Sequence, residues 1–509
     1  MSLADSPFIN RLHTNYVPLD SEVLEIRSLL VDPANELARL DAQIKEAEIA
    51  LDQLKKQRAL LKLPIDAHLA LISPMRRIPQ DVLLEIFFSC LPTEHNALVD
   101  PAEAPLVLGR ICRHWREVAY SVPMLWSSIH IPSLDYSTAS QNILSSFERT
   151  VKAWLERSAP CPLSISFFDK IHPRDILKEN PLEIQLPAVS RRLRHLALAG
   201  HSKFIPPLLR LGAADLPLLR RLRIRTTIDI TDFTNVFQIP TLEDVALAIF
   251  TPVNPLSLGL PWSQLTRLCL NCFPVWTENG SAGGLDVRGV SDVLRMCPNL
   301  VHCEIRVTRE SDEGLPPDTP PISLPHLDTL FLSNWNLRSR ILAVPNLRFL
   351  RIGDVYSRKA STLPPNGCLS ADIDPNQFTS PDWLRSLLYL FPTISHLRLS
   401  SVTQAISPDD LALFCPPHNL CPMLTHFTTH SPAAEFSDAA VLAFIQARMA
   451  MPTPLQQFRA HFQRPMEIDI VPELHSFIAD GLEVALEYSP SSEWVFDSRS
   501  GLHDIDFSD

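Results

Sequence analysis

From residue 193 onward the chain keeps returning to one string: an apolar residue, two others, an apolar residue, one other, and a third apolar residue. It reads Leu193-Leu196-Leu198, Leu219-Leu222-Ile224, Leu242-Val245-Leu247 and Leu265-Leu268-Leu270. It continues as Leu300-Cys303-Ile305, Leu327-Leu330-Leu332, Leu347-Leu350-Ile352 and Ile394-Leu397-Leu399, with Leu424-Phe427 and Leu455-Phe458 as degenerate copies. Successive first positions lie 26, 23, 23, 35, 27, 20, 47, 30 and 31 residues apart. Alternation of this kind at this period calls for short strands laid side by side, with a return segment between each pair. Seven copies carry a proline two residues ahead of the first apolar position: Pro217, Pro240, Pro298, Pro325, Pro345, Pro392 and Pro422. A proline there ends a preceding helix and extends the chain before strand pairing begins. Between the strings, Ser380-Pro381 and Ser437 each precede an apolar run closed by proline, which predicts capped helices.

Composition agrees with that use of proline. Proline numbers 46 of 509 residues and glycine only 13, against typical shares of ~5% and ~7%. Loops that cradle phosphate need glycine, and neither GxGxxG nor GxxxxGK[ST] occurs. The net charge of −12 argues against a nucleic-acid binder. Ten cysteines are scattered along a chain that opens without a basic-then-apolar leader, so a reduced cytoplasmic or nuclear setting is expected. The longest apolar region, residues 245–262, is broken by Thr251, Pro252, Asn254 and Pro255, and no membrane span is expected.

The chain divides by pattern. Residues 1–34 hold Pro7, Pro18 and Pro33 without a sustained period and are expected to be mostly disordered. Residues 35–63 place Leu37, Leu40, Ile44, Ala47, Leu51, Leu54, Arg58 and Leu61 at 3-4 spacing, a heptad helix ending before Pro64. Two readings stand: an amphipathic helix packed on the next segment, or a coiled-coil homodimer through residues 37–61. Residues 70–131 are dense in large apolar side chains. Pro79 and Asp81 suit a helix start, and a second helix with Ile111, Trp115 and Val118 on one face is expected over residues 106–120. Two short helices cannot bury so much apolar surface, which implies a partner. Residues 150–486 are the repeating region and 487–509 an acidic, flexible tail. The fold class is therefore α/β, a helical N-terminal module followed by an irregular leucine-rich-repeat solenoid.

Few groupings offer chemistry. Cys269 and Cys272 form a CxxC followed by Cys297 and Cys303, but the second spacing is wide for zinc and the four read better as small hydrophobes. Asp372-Ile-Asp374-Pro-Asn376 begins like a calcium loop, yet Gln377 and Trp383 stand where glycine and glutamate are needed. His195, His302, His326, His396 and His426 recur beside the strands and suit solvent-facing positions. No cofactor and no catalytic set is expected. The residues between the apolar positions are more suggestive. Arg194, Arg220, Arg221, Arg223, Arg267, Arg348 and Arg351 would gather on one face, with Glu304 and Arg398. Such arginines either grip carboxylates or phosphate on a substrate, or form an ordinary solvated surface with Glu243, Asp244 and Asp328.

The run Ile78-Pro79-Gln80-Asp81-Val82-Leu83-Leu84-Glu85-Ile86-Phe87 resembles the opening of an F-box. Ile111-Cys112-Arg113-His114-Trp115-Arg116-Glu117-Val118-Ala119 looks like its second half, and Leu125-Trp126 its closing pair. The layout is similar to that of a large fungal F-box family: heptad helix, Ser73-Pro74-Met75-Arg76-Arg77, F-box, Pro123-Met124-Leu125-Trp126-Ser127-Ser128, then a leucine-rich array. The link from Pro92 to Pro105 is longer than in a compact F-box. The resemblance implies a non-catalytic substrate-recognition subunit that docks on the Skp adaptor, and through it on cullin, in a ubiquitin ligase. Ile78, Pro79, Leu83, Ile86, Phe87, Ile111, Cys112 and Trp115 would then be adaptor contacts or their immediate support, while the repeat array would hold a protein substrate.

Overall fold

A computed structural model describes residues 6–72, 74–132, 141–169, 186–200, 205–277, 280–309, 320–333, 342–353, 369–375, 382–400, 407–430, 437–462 and 464–488. The chain divides into two compact units, Met1–Ile86 and Phe87–Asp509. The cut falls inside a helix within the expected 70–131 module.

In the first unit, a single helix α1 runs Asp20–Leu71. This corrects the expected 35–63 helix and the expected disorder of residues 1–34, of which 1–5 lie outside the described residues. The start of α1 is tied down by Glu22, whose carboxylate accepts from the Leu19 amide (2.8 Å), the Tyr16 hydroxyl (2.7 Å) and Arg11 Nη1 (2.8 Å). Pro33 and Pro64 both sit inside the helix. Each deletes one amide donor, at about 3 kcal/mol. Ending and renucleating a helix between good helix formers costs more than one lost bond, so the ladder continues through them. Helix α2, Gln80–Ser89, follows.

The second unit opens with α3 (Leu108–Ile111) and α4 (Arg113–Ser121), where one helix over 106–120 was expected. The break is at Cys112, which is extended (φ −157°, ψ 171°) and whose Sγ accepts from the Trp115 amide at 3.4 Å. Cys112 is thus an N-cap. The break turns Ile111 out of line with Trp115 and Val118, which are buried while Ile111 is exposed. After α4 come β1 (Ser128–Ile131) and α5 (Gln141–Arg157). Trp126 ends the helical segment, donating from Nε1 to the Ala119 carbonyl (2.8 Å) and meeting Trp154 of α5 edge-on at 4.9 Å.

The remaining strands are β2 (Leu163–Asp169), β3 (Leu193–Gly200), β4 (Arg221–Thr226), β5 (Asp244–Ile249), β6 (Arg267–Cys272), β7 (Val275–Thr277) and β8 (Gly280–Ala282). Then follow β9 (His302–Arg306), β10 (Ile322–Ser323), β11 (Thr329–Ser333), β12 (Leu342–Ala343), β13 (Phe349–Ile352) and β14 (Leu369–Ile373). The last four are β15 (Ile394–Ser400), β16 (His426–His430), β17 (Gln457–Phe462) and β18 (Glu483–Tyr488). Fourteen of them form one parallel sheet in chain order, β1-β2-β3-β4-β5-β6-β9-β11-β13-β14-β15-β16-β17-β18. β7 with β8 and β10 with β12 make two small side pairs.

The register follows the repeated string. Leu196, Leu222, Val245, Leu268, Cys303, Leu330 and Leu350 lie side by side across successive strands, and so do Leu198, Ile224, Leu247, Leu270, Ile305, Leu332 and Ile352. All are at most 2% exposed. At roughly 1.5–3 kcal/mol for each fully buried branched side chain, these two rows are the main source of the unit's cohesion. The connecting segments cover them: helix Val287–Met296 buries Val290, Val293 and Leu294, and Phe414, Phe427, Phe444 and Phe458 form an aromatic cluster further along. The predicted capped helix after Ser437 is present as Asp438–Met449, with Ser437 Oγ accepting from the Ala440 amide. The proline-initiated start at residues 380–381 lies outside the described residues.

Four strands of the sheet, β1, β2, β14 and β18, lay outside the ten expected strings. β1 belongs to the supposed helical module but heads the sheet, pairing Ile129 with Ile165. β14 fills the 47-residue gap between Leu347 and Ile394, its alanine, Ala371, standing in the row between Leu350 and Leu397. β18 ends the sheet at Tyr488, inside the expected tail, and residues 489–509 lie outside the described ones. Among the described residues, no helix is long and apolar enough to cross a membrane.

Candidate binding face of the sheet

Because side chains alternate along a strand, the residues between the buried rows share the other face. One outer row runs His195, Arg221, Asp244, Arg267, His302 and Thr329 across neighbouring strands. A second runs Ser166, Ala197, Arg223, Ala246, Cys269 and Glu304. Arg194, Arg220 and Arg348 stand where their chains run into the strands and form a separate line with Glu243 and Asp328, joined through backbone hydrogen bonds.

Most of the predicted arginines are already engaged. Arg220 meets Glu243 at 3.3 Å, Arg221 meets Asp244 at 2.7 Å, and Arg267 approaches the same Asp244 oxygen at 3.7 Å. Arg348 pairs with Asp328 at 3.7 Å. Arg351 pairs with Asp372 at 3.4 Å and lies over the rings of Phe331 and Phe349. There the face is closed, with Phe349 and Asp372 buried, and burial pushes the Asp372 carboxyl above its usual range against the pull of Arg351 and Arg398. These five arginines thus carry ion pairs within the chain. Arg194 and Arg223 remain exposed, and neither makes an ion pair with a described residue.

Arg223 stands apart by its surroundings. Across the ladder it is flanked by Ala197 and Ala246, and Arg225 by Ala199 and Ala248. Four alanines beside two long cationic side chains leave a depression of about 300 Å³, bordered by Ser166 and Phe168 on one side and Cys269 on the other. The imidazole of His195 is held below its usual pKa, first by burial and then by Arg221 and Arg194, with Arg223 adding to the effect. His130, bonded to Ser166 Oγ at 2.9 Å, is also pushed down by burial, so both imidazoles are neutral near pH 7. An apolar-walled depression with an exposed guanidinium can take a carboxylate or phosphate carried on an apolar stem. Sequence reasoning passed over Arg225, His130, Phe168 and the alanines. The signal was there in the strings LRHLALAG and DVALAI, whose outer positions are small.

The candidate zinc thiols do not converge. Cys269 is on the outer face and Cys272 on the inner, and burial pushes the Cys272 and Cys297 thiols up to about 12. Cys303 lies in the inner row and is raised further still by burial. Among the described residues, no three His, Cys, Asp or Glu side chains are grouped to hold a metal ion. His302 meets Phe331, and His396 stacks on His426 at 4.0 Å; His195, His302, His396 and His426 are half-buried rather than solvent-facing.

The F-box-like residues separate into core and surface. Phe87 and Trp115 are buried and meet edge-on at 5.0 Å, and Leu83 is buried as well. Ile78, Ile86 and Cys112 are half-buried, while Pro79 and Ile111 are exposed. Val82, Met75 and Met124 are exposed too and had not been singled out. No protein-family model matches this chain, and no curated protein matches it.

Proposed function

We propose that the chain is the substrate-recognition subunit of a Skp–cullin–F-box ubiquitin ligase, itself non-catalytic and working in the cytosol or nucleus. In this reading the parallel sheet is an irregular leucine-rich-repeat solenoid that presents its outer face to a protein substrate. The observation that carries the proposal is the folding of the two F-box-like blocks. They form helices α2, α3 and α4, with Phe87 meeting Trp115, and leave apolar side chains such as Ile111 exposed. Exposed large apolar side chains beside a well-packed core favour a docking role. The adaptor is held by surface residues of this segment, Pro79 just before α2 and Ile111 at the end of α3 among them, whereas Leu83, Phe87 and Trp115 support them from within.

The test is co-purification with the Skp adaptor. Ile111→Asp should leave the fold intact and weaken capture by about tenfold or more, the scale of a central interface residue. Phe87→Ala should instead lower thermal stability, because it removes a core ring. A folded chain that never captures adaptor would favour a leucine-rich scaffold acting outside a ligase, and undiminished capture by folded Ile111→Asp would remove α3 from the interface.

A further inference from the structure

Helix α1 carries more than the heptad seam visible over residues 37–61. Because the helix runs unbroken to Leu71, the same 3-4 spacing extends through Ile65 and His68. Leu37, Leu40, Ile44, Leu51, Leu54, Leu61 and Ile65 are each between 43% and 66% exposed, so no described residue covers the seam. Apolar side chains repeated at heptad spacing along one helix are the pattern that a second helix covers.

We infer that the seam is covered by the α1 helix of a second copy of this chain, running antiparallel about a two-fold axis between Leu51 and Leu54. In that arrangement apolar seam residues face apolar ones. Leu51 faces the partner's Leu54, Ile44 the partner's Leu61, and Leu40 the partner's Ile65. Arg58, the one charged residue on the seam between Leu37 and Ile65, faces the partner's small Ala47, which gives its stem room to reach solvent. A parallel pair in register would instead set Arg58 against the partner's Arg58.

The flanking charges point the same way. In the antiparallel arrangement, Glu48 lies beside the partner's Lys55 and Asp41 beside the partner's Lys62, and the symmetry repeats each contact. In a parallel pair Asp41 would meet the partner's Glu36, and Lys55 and Lys62 would face the partner's uncharged Ala50 and Gln57. The overlap, residues 37–68, is roughly 48 Å long at ~1.5 Å per residue.

The experiment uses the full chain and two charge variants: Lys55→Glu with Lys62→Glu, and Asp41→Lys with Glu48→Lys. Sedimentation velocity should give a dimer for the natural chain. Each variant alone should self-associate on the order of tenfold or more weakly, because it sets like charges beside each other. An equimolar mixture of the two should recover the dimer, since every flanking pair is then opposite in sign. Far-ultraviolet circular dichroism separates loss of association from loss of helix. A natural chain that stays monomeric at micromolar concentration overturns the inference. So does a mixture that associates no better than its components, or a stable complex formed only with a different protein.

Discussion

Cys112 and Arg448 show how much single side chains decide here. Cys112 interrupts what would have been one helix and caps the next with a thiol, a weak acceptor at 3.4 Å. A hydroxyl accepts more strongly, so Cys112→Ser should raise stability by about 0.5–1 kcal/mol in urea unfolding, the usual worth of an N-cap. Arg448 is fully buried and spends its guanidinium on carbonyls: Phe414 (3.2 Å), Leu424 (2.6 Å) and Thr453 (3.3 Å). It ties together the chain segments that lead into β16 and β17. Arg448→Met should cost about 3 kcal/mol or more, because it fills the volume yet leaves those carbonyls unpaired. A loss under about 1 kcal/mol would mean that water replaces the guanidinium.

Strands β15 and β16 bring His396 and His426 into a stack on the outer face, with Ser395 and Thr425 hydroxyls on their Nδ1 atoms. Burial, with His426 close by, pushes His396 down to about 4, and burial lowers His426 as well. The folded state therefore resists a proton that the unfolded chain takes up near pH 6.5. The stability this represents is complete above about pH 6.5 and is lost as pH falls toward about 4. Melting temperature should fall between about pH 7.5 and about pH 5, and His396→Phe should flatten that slope. An unchanged slope would show that other groups govern the acid response.

Across the whole molecule, the parallel sheet makes position along the ladder matter. Leu268 on β6 is wholly buried between neighbours on both sides, whereas β18 is the last strand and Val484 is only half-buried. Leu268→Asp would bury a carboxylate without a partner and should unfold the sheet, a loss above about 3 kcal/mol. Val484→Asp should cost about 1 kcal/mol or less by the same denaturant measurement, since the edge can expose the charge. Equal costs at the two positions would mean that the sheet does not unfold from its edges.

The inner rows were legible in the sequence because strand alternation is a local property. Leu222, Leu268 and Leu330 announce their burial through neighbours two and three residues away, and the prolines in phase set where each strand begins. β14 was hidden because its place in the row is taken by Ala371, too small to stand out, and β1 because its strand follows directly on helical residues. The heptad helix was read correctly in its middle but not at its ends, where two prolines would normally be taken as stops. Only the tertiary structure decided which apolar residues of the F-box-like blocks are core and which are surface. Phe87 and Trp115 bury each other across nearly thirty positions of sequence, while the turn at Cys112 exposes Ile111. It also decided the fate of the arginines. Whether Arg221 or Arg223 keeps its charge available depends on the residue one strand over, about 23 positions further along the chain: an aspartate for the first and an alanine for the second. That pairing follows from register in space, which local sequence does not encode.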